Sequence, residues 1–158
     1  MSVVINISKT YYKPSQTFSK LFSAGASEKE NLAYLVGGCV VSFIAQWPAQ
    51  SRHAFINQQP VDELMGAILL SNLFLLPLIF YLVSAIIFVF AKAFKSNILG
   101  ADLRLIIFWS YLAATPILLL VGLVEGFFGK NYQYYTIAGL WLLVFLAFVY
   151  SGFRVRSK

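Results

Sequence analysis

The sequence predicts an all-α, polytopic membrane protein, a four-helix transmembrane bundle with an N-terminal interfacial amphipathic helix. Three observations predict this fold class. The chain contains four long stretches without a charged residue. Hydrophobic residues make up 59% of the chain and charged residues 11%, against about 25% charged residues in ordinary soluble domains. The basic residues between the four stretches alternate between crowded and sparse segments.

Each uncharged stretch is long enough to cross a membrane. An α-helix needs about 20 apolar residues to cross a hydrocarbon core about 30 Å thick. Because no water in that core can bond the backbone N–H and C=O groups, the segments must be helical. The four stretches have 21, 28, 20 and 23 residues and are Asn31–Ser51, Leu64–Ala91, Leu105–Val124 and Asn131–Phe153.

The basic residues predict the orientation of the four spans. Only Arg52 and Lys130 lie in the first and third connections, whereas the other ten lie in the second connection and the two terminal segments. Short segments rich in Lys and Arg stay in the cytoplasm, so we expect both termini there. The net charge of +6 is then a topology signal and a contact with anionic lipids, and we do not interpret it as nucleic-acid binding. The chain divides into an interfacial segment 1–28, a four-span domain 29–153 and a basic tail 154–158.

The segment before the first span contains one predicted helix. Pro14 suits the first turn of a helix, and Gly25 suits its end. Large apolar side chains recur at helical spacing between them, at Phe18, Leu21 and Phe22. This pattern predicts a helix that lies on the inner leaflet with its aromatic side chains inserted in lipid. A disordered tail is the alternative.

The first span has a predicted start and a predicted end. Ser27 and Glu30 form a capping-box pattern directly before the apolar run. Trp47 suits the outer interface, and Pro48 is expected to stop the helix, which leaves 49–62 as a polar outer loop. Small residues within the span permit close approach of another helix, at Gly37, Gly38 and Ser42.

The second stretch is longer than a bilayer core requires. Its 28 residues make a helix of about 42 Å, with Pro77 near the middle. A re-entrant hairpin would return Lys92, Lys95 and Arg104 to the outer face and remove the charge asymmetry. We therefore predict a single helix bent near Pro77.

Asn72 is the most notable polar residue inside a span, since an amide in lipid needs a partner. The structural interpretation is a bond to a neighbouring helix or to a carbonyl freed by a proline. The functional interpretation is a polar position in a lipid or small-molecule pocket.

The third span, like the earlier spans, contains a proline and small residues. Pro116 predicts a second kink, and Gly122 with Gly126 forms a small-residue face. These glycines, like those of the first span, serve either an interface with a partner or internal packing. Aromatic and basic residues predict anchors at the two interfaces: Trp47, Arg52, Tyr132, Tyr134, Tyr135, Tyr150 and Arg154.

The sequence offers little for catalysis. The spans contain no deep Asp, Glu or His, and His53, the only histidine, falls in the predicted outer loop. The only cysteine, Cys39, suits packing inside the first span. We therefore expect no enzymatic activity, no cofactor and no metal site.

An ordered set of landmarks resembles a known family over about residues 30–130. It comprises Phe43-Ile44-Ala45-Gln46-Trp47-Pro48 with Arg52, Leu73-Phe74-Leu75-Leu76-Pro77 with Tyr81, Arg104-Leu105 with Phe108-Trp109, and Pro116 through Gly126-Phe127. This set resembles the short bacterial members of the Yip family, multi-span membrane proteins whose eukaryotic members interact with Ypt/Rab GTPases. The resemblance implies a bacterial cytoplasmic membrane, and it provides no catalytic residues that could be carried over to this chain. The chain lacks the long acidic leader and the fifth span of the eukaryotic members.

Two functional hypotheses follow from the sequence. The first is a non-enzymatic scaffold or accessory subunit that packs against other integral membrane proteins, or a protein that organises lipid. The second is a small transporter or lipid-handling protein with a site between the proline-broken second and third helices.

Overall fold

The computed structural model describes residues 3–25, 27–93 and 98–156, and four of its helices are long and apolar enough to cross a membrane. The chain is therefore a multi-pass membrane protein, and the prediction of four spans is confirmed. In chain order the helices are α1 (Val3–Tyr12), α2 (Pro14–Ser23), α3 or the first span (Glu28–Asn57), α4 (Val61–Leu70), a π-helical turn (Ser71–Leu75), α5 (Leu76–Ala93), α6 or the third span (Gly100–Phe128) and α7 or the fourth span (Tyr132–Arg156). The second span consists of α4, the π-helical turn and α5.

The first span begins as predicted and ends later than predicted. The Ser27 hydroxyl accepts a hydrogen bond from the Glu30 amide at 3.4 Å, and Glu30 accepts one from the Ser27 amide at 2.9 Å. The expectation that Pro48 stops the helix is wrong, because the helix continues to Asn57. Proline removes one backbone donor without ending a helix that neighbouring groups support. Here Arg52, one turn after Pro48, donates a hydrogen bond to the Phe127 carbonyl of the third span.

The second span is one continuous helix, so the re-entrant alternative is excluded. Its irregular turn is the π-helical segment Ser71–Leu75, directly before Pro77. A proline ring clashes with the carbonyl four residues earlier, which here belongs to Leu73 inside that turn. The distortion expected at Pro77 therefore takes the form of a π-helical turn. The Asn72 side chain donates to the Ile68 carbonyl at 3.0 Å within the same helix.

The third span lies at the centre of the bundle. Most of its apolar stretch is buried, whereas the second and fourth spans are mostly exposed on the outside of the bundle. Pro116 leaves the Leu112 carbonyl without its usual amide donor. The Thr115 hydroxyl donates to that carbonyl at 2.8 Å, which keeps the backbone group satisfied where water is absent.

The first and third spans run parallel and are in contact along most of their length. At one end the Asn31 side-chain amide donates to the backbone carbonyl of Ala101 at 3.2 Å. Near the other end Gly126 lies against Pro48. A Cβ on Gly122 would overlap the Ala45 carbonyl. Two backbones approach this closely only where a side chain is absent, so these glycines fit internal packing.

Ion pairs join the spans at the end of the bundle where the first span begins and the fourth ends, which we call the terminal face. Arg104 of the third span contacts Glu28 of the first, with Nε 3.1 Å from Oε2. Arg156 of the fourth span donates to Asp102 of the third at 2.6 Å. Arg156 is thus part of the last turn of a membrane helix, whereas the sequence predicts a basic tail from residue 154 onward.

Residues 3–25 contain two helices, α1 and α2, which we call the N-terminal helix pair. The amphipathic helix predicted after Pro14 is confirmed, with Pro14 in its first turn and Gly25 at φ +68° after its end. α1 was not predicted. The apolar side chains of α2 contact protein, although we expected them to contact lipid, because Phe18 and Leu21 belong to a buried cluster with Trp109 and Phe148.

Candidate functional site

Three lysines line a groove of about 600 Å³ on the N-terminal helix pair. Both helices contribute to this groove, which we call the basic groove. Its lining residues are polar or cationic: Asn6, Lys9, Tyr12, Lys13, Gln16, Thr17 and Lys20.

Helical spacing explains why these side chains share one face. Five of the lining residues are spaced by three or four positions, which is the spacing of residues on one face of a helix. They are Asn6, Lys9, Lys13, Gln16 and Lys20. Lys13 is the only residue between α1 and α2, and its φ of −141° and ψ of 65° break the helix there. The backbone bond from the Lys13 amide to the Lys9 carbonyl, at 2.8 Å, spans the break. One polar stripe therefore continues from α1 into α2.

The three lysines of the groove have no acidic partner. Residues 3–25 contain no Asp or Glu, and the first acidic residue of the chain is Glu28. Within the described ranges, the ion pairs involve Arg104, Lys130 and Arg156, and none includes Lys9, Lys13 or Lys20. A concave surface with three like charges is therefore an attractive position for an anion.

The other side of the helix pair is held against the spans by one buried and one partly buried polar contact. The Trp109 indole donates to the Thr10 hydroxyl at 3.2 Å, and the Tyr11 hydroxyl donates to the Ala113 carbonyl at 2.9 Å. Partial burial raises the pKa of the Tyr11 phenol further above neutrality, which keeps the hydroxyl a donor. The Tyr11 ring also contacts Phe148 edge-on, at 5.2 Å between centroids.

These contacts fix the depth of the helix pair beside the third span. Trp109 and Ala113 follow Gly100, the first residue of the third span, by nine and 13 positions, or about 14 and 20 Å. The 29-residue span is about 44 Å long and exceeds a 30 Å core by about 7 Å at each end. Trp109 then lies about 7 Å below the hydrocarbon surface, and the lysines can extend from there toward the headgroups.

A second, more open cavity of about 820 Å³ adjoins the basic groove. The two share Gln16 and Lys20, and Arg154 of the fourth span lines the second cavity. Cationic side chains from the helix pair and from a membrane span thus meet on one surface at the terminal face.

The opposite end of the bundle contains a smaller polar cavity of about 310 Å³ between the first, third and fourth spans. Gln46 is part of its lining and donates to the Asn72 side-chain oxygen at 3.2 Å. Asn72 thus takes part in an interhelical bond, as the structural interpretation predicted. At the mouth of the cavity Lys130 lies 3.7 Å from Glu125, so the charges there are paired.

The space beside the second and third spans is apolar. A cavity of about 360 Å³ lies between the second, third and fourth spans. Its lining carries no polar side chain and consists of Ile79, Phe80, Val83, Ile87, Ile107, Phe145, Leu146 and Val149. The cavity therefore fits a hydrocarbon chain better than a polar solute.

The structure separates the remaining predicted site residues into packed and exposed positions. Gly38 lies 2.7 Å from the Tyr111 ring, measured from the position of an added Cβ, and Gly37 lies in looser contact with Leu112. Ser42 is buried, and Arg52 donates to the Phe127 carbonyl at 2.7 Å. The aromatic anchors Trp47, Tyr132, Tyr135 and Tyr150 are exposed, and Tyr134 packs edge-on against Tyr135.

The basic groove was not identified from the sequence, although a signal for it exists. The polar stripe on Asn6, Lys9, Lys13, Gln16 and Lys20 keeps helical spacing through Pro14. A helix start at Pro14 conceals this stripe, because it separates Lys9 and Lys13 from Gln16 and Lys20.

Comparison with known protein families, with curated proteins and with solved structures finds no match to this chain. The resemblance to the Yip family therefore stays a prediction.

Proposed function

We propose that this protein is a non-enzymatic membrane protein that organises anionic lipid on the cytoplasmic side of a bacterial membrane. The observation that carries the proposal is the two-sided construction of the N-terminal helix pair. One side is fixed to the third and fourth spans through Thr10 and Phe18, both with 0% exposure. The other side presents three lysines in the basic groove. Such a surface attracts anionic lipids, with each basic residue contributing about 1 kcal/mol.

The orientation in this proposal depends on the charge pattern. Ten of the 12 basic residues lie on the termini and the second connection. The positive-inside rule places these segments, and with them the helix pair, in the cytoplasm. The proposal involves no metal, cofactor or reaction.

The test is the lipid composition that the protein retains. The full chain is reconstituted into phosphatidylcholine bilayers containing a minor fraction of phosphatidylglycerol, extracted gently and analysed by native mass spectrometry. The proposal expects phosphatidylglycerol to be enriched among the bound lipids relative to the bilayer. Bound lipids in the same proportion as the bilayer would contradict it.

A role as accessory subunit is a second candidate, and the position of the second span favours it. This span is attached to the bundle through the Gln46–Asn72 bond and ring contacts such as that of Tyr81 with Phe108, 5.0 Å between centroids. Its outer face, which includes Leu78, is exposed. The occupant we consider is an apolar helix of another membrane protein.

A photo-crosslinker at Leu78 tests this second candidate, with Leu143 of the fourth span as control because both side chains are 66% exposed. A single protein adduct from Leu78, absent from Leu143, would support an accessory role. Lipid adducts alone at both positions would contradict it.

The transporter hypothesis has less support. A solute site between the second and third spans needs polar side chains, whereas the cavity beside these spans is lined by apolar ones. An apolar cavity supports the lipid-handling part of that hypothesis, because it can accept an acyl chain.

A further inference from the structure

We propose that the basic groove is a binding site for a lipid headgroup phosphate that carries more than one negative charge. The inference rests on the proposed lipid-organising function and names the ligand class and the residues of its site. The ligand would lie between α1 and α2, with Lys9, Lys13 and Lys20 around the phosphate.

The lining supplies the donors that such a phosphate requires. Each lysine ammonium offers three N–H donors and no acceptor. The amides of Asn6 and Gln16 and the hydroxyl of Tyr12 add neutral donors to the same groove. A carboxylate would repel the ligand, and residues 3–25 contain none.

The number of charges favours a doubly charged phosphate over a singly charged one. The lining of the groove includes three lysines, whose like charges repel each other, and a bound anion offsets that repulsion. A phosphate monoester carries a charge of about −1.5 to −2 at pH 7, whereas a phosphodiester carries a single negative charge. The groove should therefore prefer the monoester of phosphatidic acid to the diester of phosphatidylglycerol.

The position of the groove favours a lipid over a soluble phosphate. Thr10 and Tyr11 of α1 contact Trp109 and Ala113, which lie well inside the length of the third span. A lipid beside the bundle can reach the groove from within the bilayer, whereas a soluble phosphate must enter from water. The volume of about 600 Å³ is in the range of small-molecule sites and accommodates a phosphate with its glycerol.

The experiment compares two variants with the same net charge. In Lys9→Gln/Lys13→Gln the groove loses two ammonium groups. In the control, Lys29→Gln/Lys92→Gln, the two lost lysines are exposed positions that do not line the groove. Phosphatidic acid occupancy is measured by native mass spectrometry on the full chain in phosphatidylcholine nanodiscs, with phosphatidylglycerol as the second probe.

The proposal expects phosphatidic acid binding to weaken about fivefold per groove lysine, or about 25-fold in the groove variant, with little change in the control. It also expects the unaltered protein to prefer phosphatidic acid to phosphatidylglycerol. Lys9→Arg/Lys13→Arg keeps the charge and should retain binding. If the groove variant does not fold, Lys20→Gln with Lys29→Gln as its control provides the same comparison, with an effect of about fivefold expected.

Other outcomes overturn the inference, and they do so separately from the proposed function. Equal weakening in the groove variant and the control would show diffuse attraction to the surface, and no weakening in either would show that the groove is not the site. Displacement of the lipid by millimolar inorganic phosphate would show a soluble ligand. If the unaltered protein binds no anionic lipid above the phosphatidylcholine background, the proposed function fails as well.

Discussion

Trp109 and Thr10 form a buried hydrogen bond across 99 positions of the chain, with the indole Nε1 donating to the hydroxyl oxygen at 3.2 Å. Both side chains have 0% exposure. Through this bond the central helix of the bundle fixes the N-terminal helix pair, and thus the basic groove, at a defined depth. The proposed lipid site requires this attachment of the helix pair to the third span.

Thr10→Val should loosen the helix pair. Valine has nearly the shape of threonine but leaves the Trp109 N–H buried without an acceptor, which costs about 1–3 kcal/mol. Hydrogen exchange of the amides in α1 and α2 should increase. The control is Ser8→Ala, since the exposed Ser8 hydroxyl bonds only a carbonyl of its own helix. Unchanged exchange in the Thr10 variant would show that the bond does not hold the pair.

Gly122→Ala should destabilise the bundle. The added Cβ would overlap the Ala45 carbonyl, so the first and third spans would have to separate. Overpacking of this kind costs about 1–3 kcal/mol. A Cβ at Gly139 of the fourth span meets nothing within 4 Å, so Gly139→Ala is the matched control. We expect a lower unfolding temperature in detergent for Gly122→Ala alone, and equal stability of the two variants would contradict the packing.

Gln46 and Asn72 should show energetic coupling in a double-mutant cycle. Their side chains form a bond at 3.2 Å between the first and second spans. Such bonds in membranes contribute about 0.6 kcal/mol on average and up to about 2 kcal/mol. The cycle of Gln46→Ala and Asn72→Ala should give a value in this range. As reference, a cycle of Gln46→Ala with Ser84→Ala should give zero, since the Ser84 hydroxyl bonds the Phe80 carbonyl of its own helix.

Arg52→Lys should release the end of the third span. The Arg52 Nη1 donates to the carbonyls of Gly126 and Phe127, at 3.4 and 2.7 Å, and the shorter lysine side chain does not reach the same position. We expect a stability loss of about 1–3 kcal/mol and faster amide exchange around Gly129. Lys130→Gln removes only a long, exposed ion pair and should cost less than about 1 kcal/mol. A larger effect from Lys130 would reverse this ranking.

The orientation is tested with single cysteines in a Cys39→Ala background. A cysteine at Asn57 should react with an impermeant reagent added outside whole cells, and one at Ser157 should not. The expectation follows from the ten-to-two distribution of basic residues. Labelling of Ser157 from outside, or protection of Asn57, would contradict both termini being cytoplasmic.

Local patterns predicted those parts of the fold that depend on neighbouring residues. Uncharged runs located the four spans, and the pair Ser27 and Glu30 located the start of the first. The end of that span could not be predicted, since the helix continues past Pro48 with support from Arg52, whose acceptors lie more than 70 residues away.

The candidate site depended even more on distant contacts. α1 is mostly exposed, and its buried residue Thr10 meets its partner only when the third span is in place. The lysine spacing was visible in the sequence, but the groove exists because the chain bends at Lys13 and Phe18 packs against the bundle.

The most direct test of the central claim is a cross-link between the helix pair and the fourth span. The hydroxyl oxygens of Ser15 and Ser151 lie 3.3 Å apart, so cysteines at these positions in a Cys39→Ala background should form a disulfide on mild oxidation in the membrane. The control pairs Ser151→Cys with Ser8→Cys, since Ser8 is exposed on α1. The account predicts rapid, nearly complete cross-linking of the first pair and little of the second. Absence of cross-linking between positions 15 and 151, or equal cross-linking of both pairs, would contradict the docked helix pair.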